Sequence, residues 1–149
     1  MENFEVLDVS GDIGIRAYGK TITEAFVSAS TGLYSLTTNL NAIEAKKSID
    51  ISVESDTLEG LLVSWLNELI FHLDAYGFIG KKILINEFSP IAGKPDSLRA
   101  CKLKAIIYGE EFDPVRHEGK LLIKAATYHR LKIEKKKDGL WEIDVIFDI

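Results

Sequence analysis

The sequence predicts an α+β domain: two helices packed on a largely antiparallel β-sheet, a single-domain two-layer sandwich over residues 1–149. Three observations carry this prediction. Short segments that alternate apolar and polar residues stand near both ends of the chain. Between them, two stretches repeat apolar residues at helical spacing. Asp138-Gly139 then separates the last two alternating segments, the pairing that turns one strand antiparallel onto the next. A chain of 149 residues is one domain's length. It buries roughly 70% of its unfolded surface, so a core forms without staples. With 46% hydrophobic and 28% charged residues the composition is that of a globular protein, which excludes disordered and collagen-like architectures.

Phe4-Glu5-Val6-Leu7-Asp8 and Ile13-Gly14-Ile15-Arg16-Ala17-Tyr18 alternate as strands, with Ser10-Gly11-Asp12 as the turn between them. Thr23 is the expected N-cap of a first helix whose face is Ala25, Phe26, Ala29, Leu33 and Leu36, ending near Thr37-Thr38-Asn39. Lys47 to Ser55 alternates again. Asp56 or Thr57 caps a second, longer helix from Leu58 to Leu73, and Gly77 stops it. Lys82 to Ile85 and Leu98 to Tyr108 read as strands, with Pro90 to Ser97 as their loop. Leu131 to Lys136 and Trp141 to Phe147 form the closing hairpin. Gly109 to Arg130 stays ambiguous: Asp113-Pro114 suits the start of a helical turn, and Leu121-Leu122-Ile123 suits either strand or helix.

The formal charge of −5 argues against a large nucleic-acid footprint, which needs excess Lys and Arg; no stable direct nucleic-acid binding is expected. The basic run Lys135-Lys136-Lys137 reads as a solvated hairpin tip. One cysteine, Cys101, allows no intramolecular disulfide and no multi-cysteine zinc site, and suits a reducing compartment. No apolar run approaches the ~20 residues of a membrane span, and the first residues are acidic where a signal peptide is basic. The expectation is a soluble cytoplasmic protein with no membrane partner. Dinucleotide-binding, phosphate-loop and nucleophile-elbow motifs are all absent.

Two constellations are chemically suggestive. Asp12, Asp148 and an oxygen of Ile149 form a set of hard ligands if the first hairpin lies beside the last strand. Such a set suits Ca²⁺ or Mg²⁺ rather than a soft metal. Glu110, Glu111, Asp113, Arg116 and His117 crowd one loop, which serves either to dock a partner or only to pair internally. His129 and His72 read as packed or solvated histidines, and Cys101 as a core contact. No catalytic residue is assigned.

Several segments, in order, resemble the archease family. They are Asp12-Ile13-Gly14-Ile15, Ala17-Tyr18-Gly19-Lys20-Thr21 leading to Glu24-Ala25-Phe26, and Leu61-Leu62-Val63-Ser64-Trp65-Leu66-Asn67-Glu68-Leu69. Tyr108-Gly109-Glu110-Glu111-Phe112-Asp113 leading to Arg116-His117, Lys124-Ala125-Ala126-Thr127-Tyr128-His129 and the closing Asp148-Ile149 complete the match. One departure stands out: archeases usually carry His-Thr-Ala before the first-turn aspartate, where this chain has Val9-Ser10-Gly11. The resemblance implies a small accessory protein, not an enzyme. Its implied partner is the GTP-dependent tRNA-splicing RNA ligase, which joins 3′-phosphate or 2′,3′-cyclic phosphate ends to a 5′-hydroxyl. The accessory protein promotes guanylylation of the ligase's histidine and multiple turnover. It implies a divalent-metal site at Asp12, Asp148 and the Ile149 carbonyl, with Ca²⁺ the leading ion and Mg²⁺ or Mn²⁺ the alternatives. A chaperone or specificity modulator of RNA-modifying proteins, such as a tRNA methyltransferase, is the alternative role. An autonomous metal-dependent hydrolase using the two aspartates is a further one, and it lacks an evident general base.

Overall fold

The computed structural model describes residues 3–89 and 101–149. Within these residues the element order is β1 (Phe4–Val9), β2 (Asp12–Gly19), α1 (Ile22–Thr37), β3 (Lys47–Ser55), α2 (Leu58–Tyr76), β4 (Phe78–Ser89), β5 (Cys101–Glu111), β6 (Ala125–Ala126), β7 (Lys132–Lys135) and β8 (Trp141–Asp148). A single 3-10 turn, Leu40–Ala42, follows α1. The α+β prediction holds, with one difference: the strands form two antiparallel sheets rather than one. The larger runs β1-β2-β8-β6, with β7 also paired to β8; the smaller runs β3-β5-β4. Nothing in local periodicity says which strands pair, so the division was not legible in the sequence.

The first helix is capped two residues earlier than expected. Thr21 is the N-cap, its hydroxyl accepting from the Glu24 amide at 3.1 Å, while the Glu24 carboxylate reaches back to the Lys20 amide at 2.7 Å. Thr21-x-x-Glu24 is a capping-box spacing, and Thr23 already lies inside the helix. In α2 the expectation is met on both ends. Thr57 accepts from the Gly60 amide, and Gly77 closes the helix in the left-handed region at φ 67°. The strand expected at Lys82–Ile85 is longer, Phe78–Ser89, because it begins directly after Gly77. Pro90 to Ser97, and Leu98 to Ala100 of the next predicted strand, lie outside the described residues. Asp113-Pro114 opens a single turn, as expected, with the Asp113 carbonyl accepting from the Arg116 and His117 amides at 3.1 and 2.7 Å; residues 121–123 are neither strand nor helix.

Both helices cover the inner faces of the sheets. Phe26, Ala29 and Leu33 of α1, Leu61, Leu62, Trp65, Leu66 and Leu69 of α2, and Ile15, Leu103, Ile107 and Val145 of the strands are fully buried in one cluster. The Trp65 indole donates to the Ser30 hydroxyl at 2.7 Å, and that hydroxyl donates to the Phe26 carbonyl. This polar link between the helices therefore leaves neither side chain unsatisfied. The Asn67 side-chain carbonyl accepts from the Ala126 amide at 2.8 Å, tying α2 to the short β6. No helix among the described residues is long and apolar enough to cross a membrane.

Candidate functional site

β1 and β2 are joined by two residues only, since Val9 pairs with Asp12. Both loop residues take positive φ, Ser10 at 52° and Gly11 at 87°. That combination marks a two-residue turn matched to the twist of the strands. The turn delivers Asp12 to the first position of β2, exposed to solvent.

β2 then pairs antiparallel with β8 from Ile13↔Phe147 to Gly19↔Trp141. One step further in the same register, Asp12 stands across from Asp148. On both strands the core-facing set is odd-numbered: Ile15 and Ala17, and Ile143, Val145 and Phe147, are buried. Asp12 and Asp148 therefore share the outer face, next to one another at the end of the sheet. Gly14 makes this close fit possible. A Cβ there would stand 2.5 Å from the Val145 carbonyl oxygen and 2.6 Å from Ile146 Cδ1. On the other side of β8, the Lys124 amide donates to the Asp148 carbonyl at 2.7 Å and fixes the strand's end. The chain between β6 and β7 brings His129 to the same place, its Nε2 4.0 Å from Asp12 Oδ2. That separation is too long for a hydrogen bond.

The donor set fits a hard cation. Two exposed carboxylates from rigid strand ends and the Ile149 carbonyl are all oxygen, as Ca²⁺ and Mg²⁺ prefer, with water completing the shell. Among the described residues, no three or more His, Cys, Asp or Glu side chains gather to hold a metal ion. An ion held here would have two side-chain ligands and would need the backbone oxygen.

Further along the same outer face lies a charged network that local periodicity does not reveal. Arg16 donates in a fork to Asp144, 2.8 and 2.9 Å from the two carboxylate oxygens. Lys132 donates to Glu142 at 2.6 Å and lies 3.5 Å from Asp144, and Lys136 pairs with both Glu134 and Glu142. Burial opposes ionisation of Asp144, but the bond from Arg16 and the charge of Lys132 hold its pKa below the ordinary carboxylate value. The bond to Asp144 raises Arg16 further above its already high value. The available signal was charged residues at alternate positions of three strands, and using it requires the register that sets Arg16 and Lys132 both across from Asp144.

The acidic loop is organised around a buried acid. Glu110 is 5% exposed, accepts from Arg116 at 3.0 and 3.3 Å and from the Glu44 amide at 2.6 Å. The bonds from Arg116, then that from Glu44, hold its pKa down to about 2. His117 is buried too. Its Nδ1 accepts from the Asp113 amide at 2.8 Å, leaving Nε2 to carry the proton, 3.3 Å from Glu110 Oε2 without hydrogen-bond geometry. Asp113 accepts from the Val115 amide. Glu110 thus pairs with Arg116 inside the loop, and His117 is buried beside them, bonded to the Asp113 amide. Glu111 and Arg116 present exposed surface, and Val115 between them is 92% exposed. The two constellations are not brought into one site. Cys101 is buried in β5, as expected of a core contact. His72 packs against the exposed rings of Phe71 and Tyr76 on α2.

Comparison with known proteins gives a consistent picture. Residues 4–149 match the model of the Archease protein family (MTH1598/TM1083). The chain is 40% identical over 149 residues to the archease of Pyrococcus furiosus and 38% identical to that of Pyrococcus abyssi, covering all of each chain. Its structure resembles the solution structure of Methanobacterium thermoautotrophicum protein 1598 at a TM-score of 0.79. That match has 30% identity and covers both chains fully. The fold is shared with a crystal structure from Thermotoga maritima described as an archease, possible chaperone. There the TM-score is 0.60 at 19% identity, over 97% of this chain and 96% of the other.

Proposed function

The chain belongs to the archease family, and from that premise we propose that it is an accessory protein of RNA joining. It activates the GTP-dependent tRNA-splicing RNA ligase by promoting guanylylation of the ligase's histidine and so sustaining multiple turnover. The observation that carries this reading is the β2–β8 register, which sets Asp12 beside Asp148-Ile149 on an exposed, rigid sheet end. Asp12, Asp148 and the Ile149 carbonyl would hold a divalent ion, Ca²⁺ or else Mg²⁺ or Mn²⁺. Such an ion supplies charge neutralisation and orientation for phosphate oxygens.

The chain's own residues do the rest. The two-residue turn at Ser10-Gly11 and the Lys124 bond to the Asp148 carbonyl hold both carboxylates on strand ends, so little ordering is left to be done on docking. The Glu110–Arg116–His117 node orders a loop whose Glu111, Asp113 and Arg116 we assign to the ligase-facing surface. An acidic chain suits a basic, RNA-handling partner and speeds its encounter.

The test is guanylylation and RNA joining by the cognate ligase with a substoichiometric amount of this protein. Repeated turnover only in its presence is the expected result. No stimulation of a demonstrably competent ligase would refute the activator reading. In that event a general protein-binding role becomes the better reading. The exposed Phe71–Tyr76 pair on α2 and Leu122, 87% exposed, favour it.

A further inference from the structure

An apolar groove of about 360 Å³ lies where the C-terminal end of α2 meets the chain that follows the acidic loop. Ile70 and Leu73 of α2 line it, together with Phe112 and the run Leu121-Leu122-Ile123. Ile70 and Ile123 are buried, whereas Leu121 is exposed and Leu122 is 87% exposed. A lone surface leucine is ordinary. These two are held outside by their backbone. Before them, the Lys120 and Leu121 amides donate to the Thr37 and Leu36 carbonyls at 3.0 Å each, and the Thr38 hydroxyl donates to the Glu118 carbonyl at 2.6 Å. After them, the Lys124 amide is bonded to the Asp148 carbonyl at 2.7 Å. A chain tied on both sides keeps Leu122 at the groove, so little ordering is left to be done when a partner docks.

Charge says which partner fits. Thr37 of α1 lines the groove, as do Leu73 and Asp74 of α2 and its cap Gly77, so both helices end there. Neither helix has a basic residue in its last turn, and both ends carry partial negative charge. On α1 the last carbonyls are taken by the amides of Lys120 and Leu121, and Lys120 is the one base among the described residues lining the groove. The end of α2 has no such neighbour. Asp74, in its last turn, is exposed and forms no ion pair among the described residues. The groove thus joins apolar walls to an unbalanced negative charge at its α2 end.

We propose that this groove docks the apolar face of an amphipathic helix from a partner protein, with an arginine of that helix set against Asp74 and the end of α2. Leu73, Phe112, Leu121 and Leu122 take the apolar anchors. A guanidinium is weakly hydrated and suits a charged spot beside apolar walls better than an ammonium does. The surface uses neither Asp12 nor Asp148 and needs no ion.

The test is amide NMR of the full chain titrated with two synthetic amphipathic helical peptides. Both carry the same leucine face; one has arginines beside it, the other glutamates. Saturable shifts at Asp74, Leu122 and Ile123 are expected with the arginine peptide, bound about tenfold tighter than the glutamate peptide. Leu122→Ser is expected to weaken that binding about tenfold and Asp74→Asn about threefold. Leu84→Ser, on an exposed β4 position outside the groove, is expected to leave it unchanged. Absence of saturable binding, equal binding of both peptides, shifts that map away from the groove, or full affinity in Leu122→Ser or Asp74→Asn would overturn the assignment. So would the same shifts arising without peptide as the chain's own concentration rises, which would give the groove to a second copy.

Discussion

At the scale of single residues, Glu110 shows how burial and partners together decide what a carboxylate does. Its pKa is depressed to about 2 in the folded chain, below an ordinary value near 4.5. The stability this contributes is fully present above pH 4.5 and is lost as pH falls toward 2. Glu110→Gln is therefore expected to unfold more readily than the parent at neutral pH in urea titrations. The gap should narrow between pH 4.5 and about 2; a gap constant over that window would deny the carboxylate this role. Asp12 and Asp148 present the opposite situation. Both are exposed and neither is needed by the core, so Asp12→Asn and Asp148→Asn are expected to melt within a degree or two of the parent (about 0.5 kcal/mol). Each should nevertheless abolish ligase stimulation.

At the scale of elements, two glycines hold positions that other residues do not fill. Gly77 sits at φ 67° with only the Phe112 amide nitrogen, 3.8 Å away, near its missing Cβ. Gly77→Ala should cost about 1–2 kcal/mol by backbone conformation alone, and Gly77→Asn less. Gly14 is constrained by space instead. Gly14→Val must push β2 from β8 and is expected to cost about 1–3 kcal/mol in denaturant titrations. The two mechanisms were unequally legible. Gly77 followed a long apolar helical pattern and read at once as a stop. Gly14 looked like any glycine in an alternating strand, because its constraint comes from Ile146, distant in sequence. The same holds for the caps. Thr57 is readable from the apolar run that follows it, whereas Thr21 is marked only by Glu24, the far end of its capping box.

At the scale of the whole molecule, the fold class and both helices were legible because they rest on local periodicity and on one hairpin turn. The two-sheet division and the ion-pair network around Arg16 and Asp144 were not. Each is made by contacts between residues far apart in the chain. The Asp12–Asp148 juxtaposition lies between the two groups: the residue types and the family resemblance point to the pair, but only strand order brings the two aspartates together. In the acidic loop, composition was readable but direction was not. Glu110 and His117 turn inward, and charge count alone cannot distinguish an inward-facing acid from a docking one.

The measurement that bears most directly on this account is calorimetric titration of the metal-free chain with Ca²⁺, repeated on Asp12→Asn and Asp148→Asn. A single site per chain, lost in both variants while their melting temperatures hold, is the expected result. Unchanged Ca²⁺ binding in both variants would contradict it and remove the metal site from the β2–β8 sheet end.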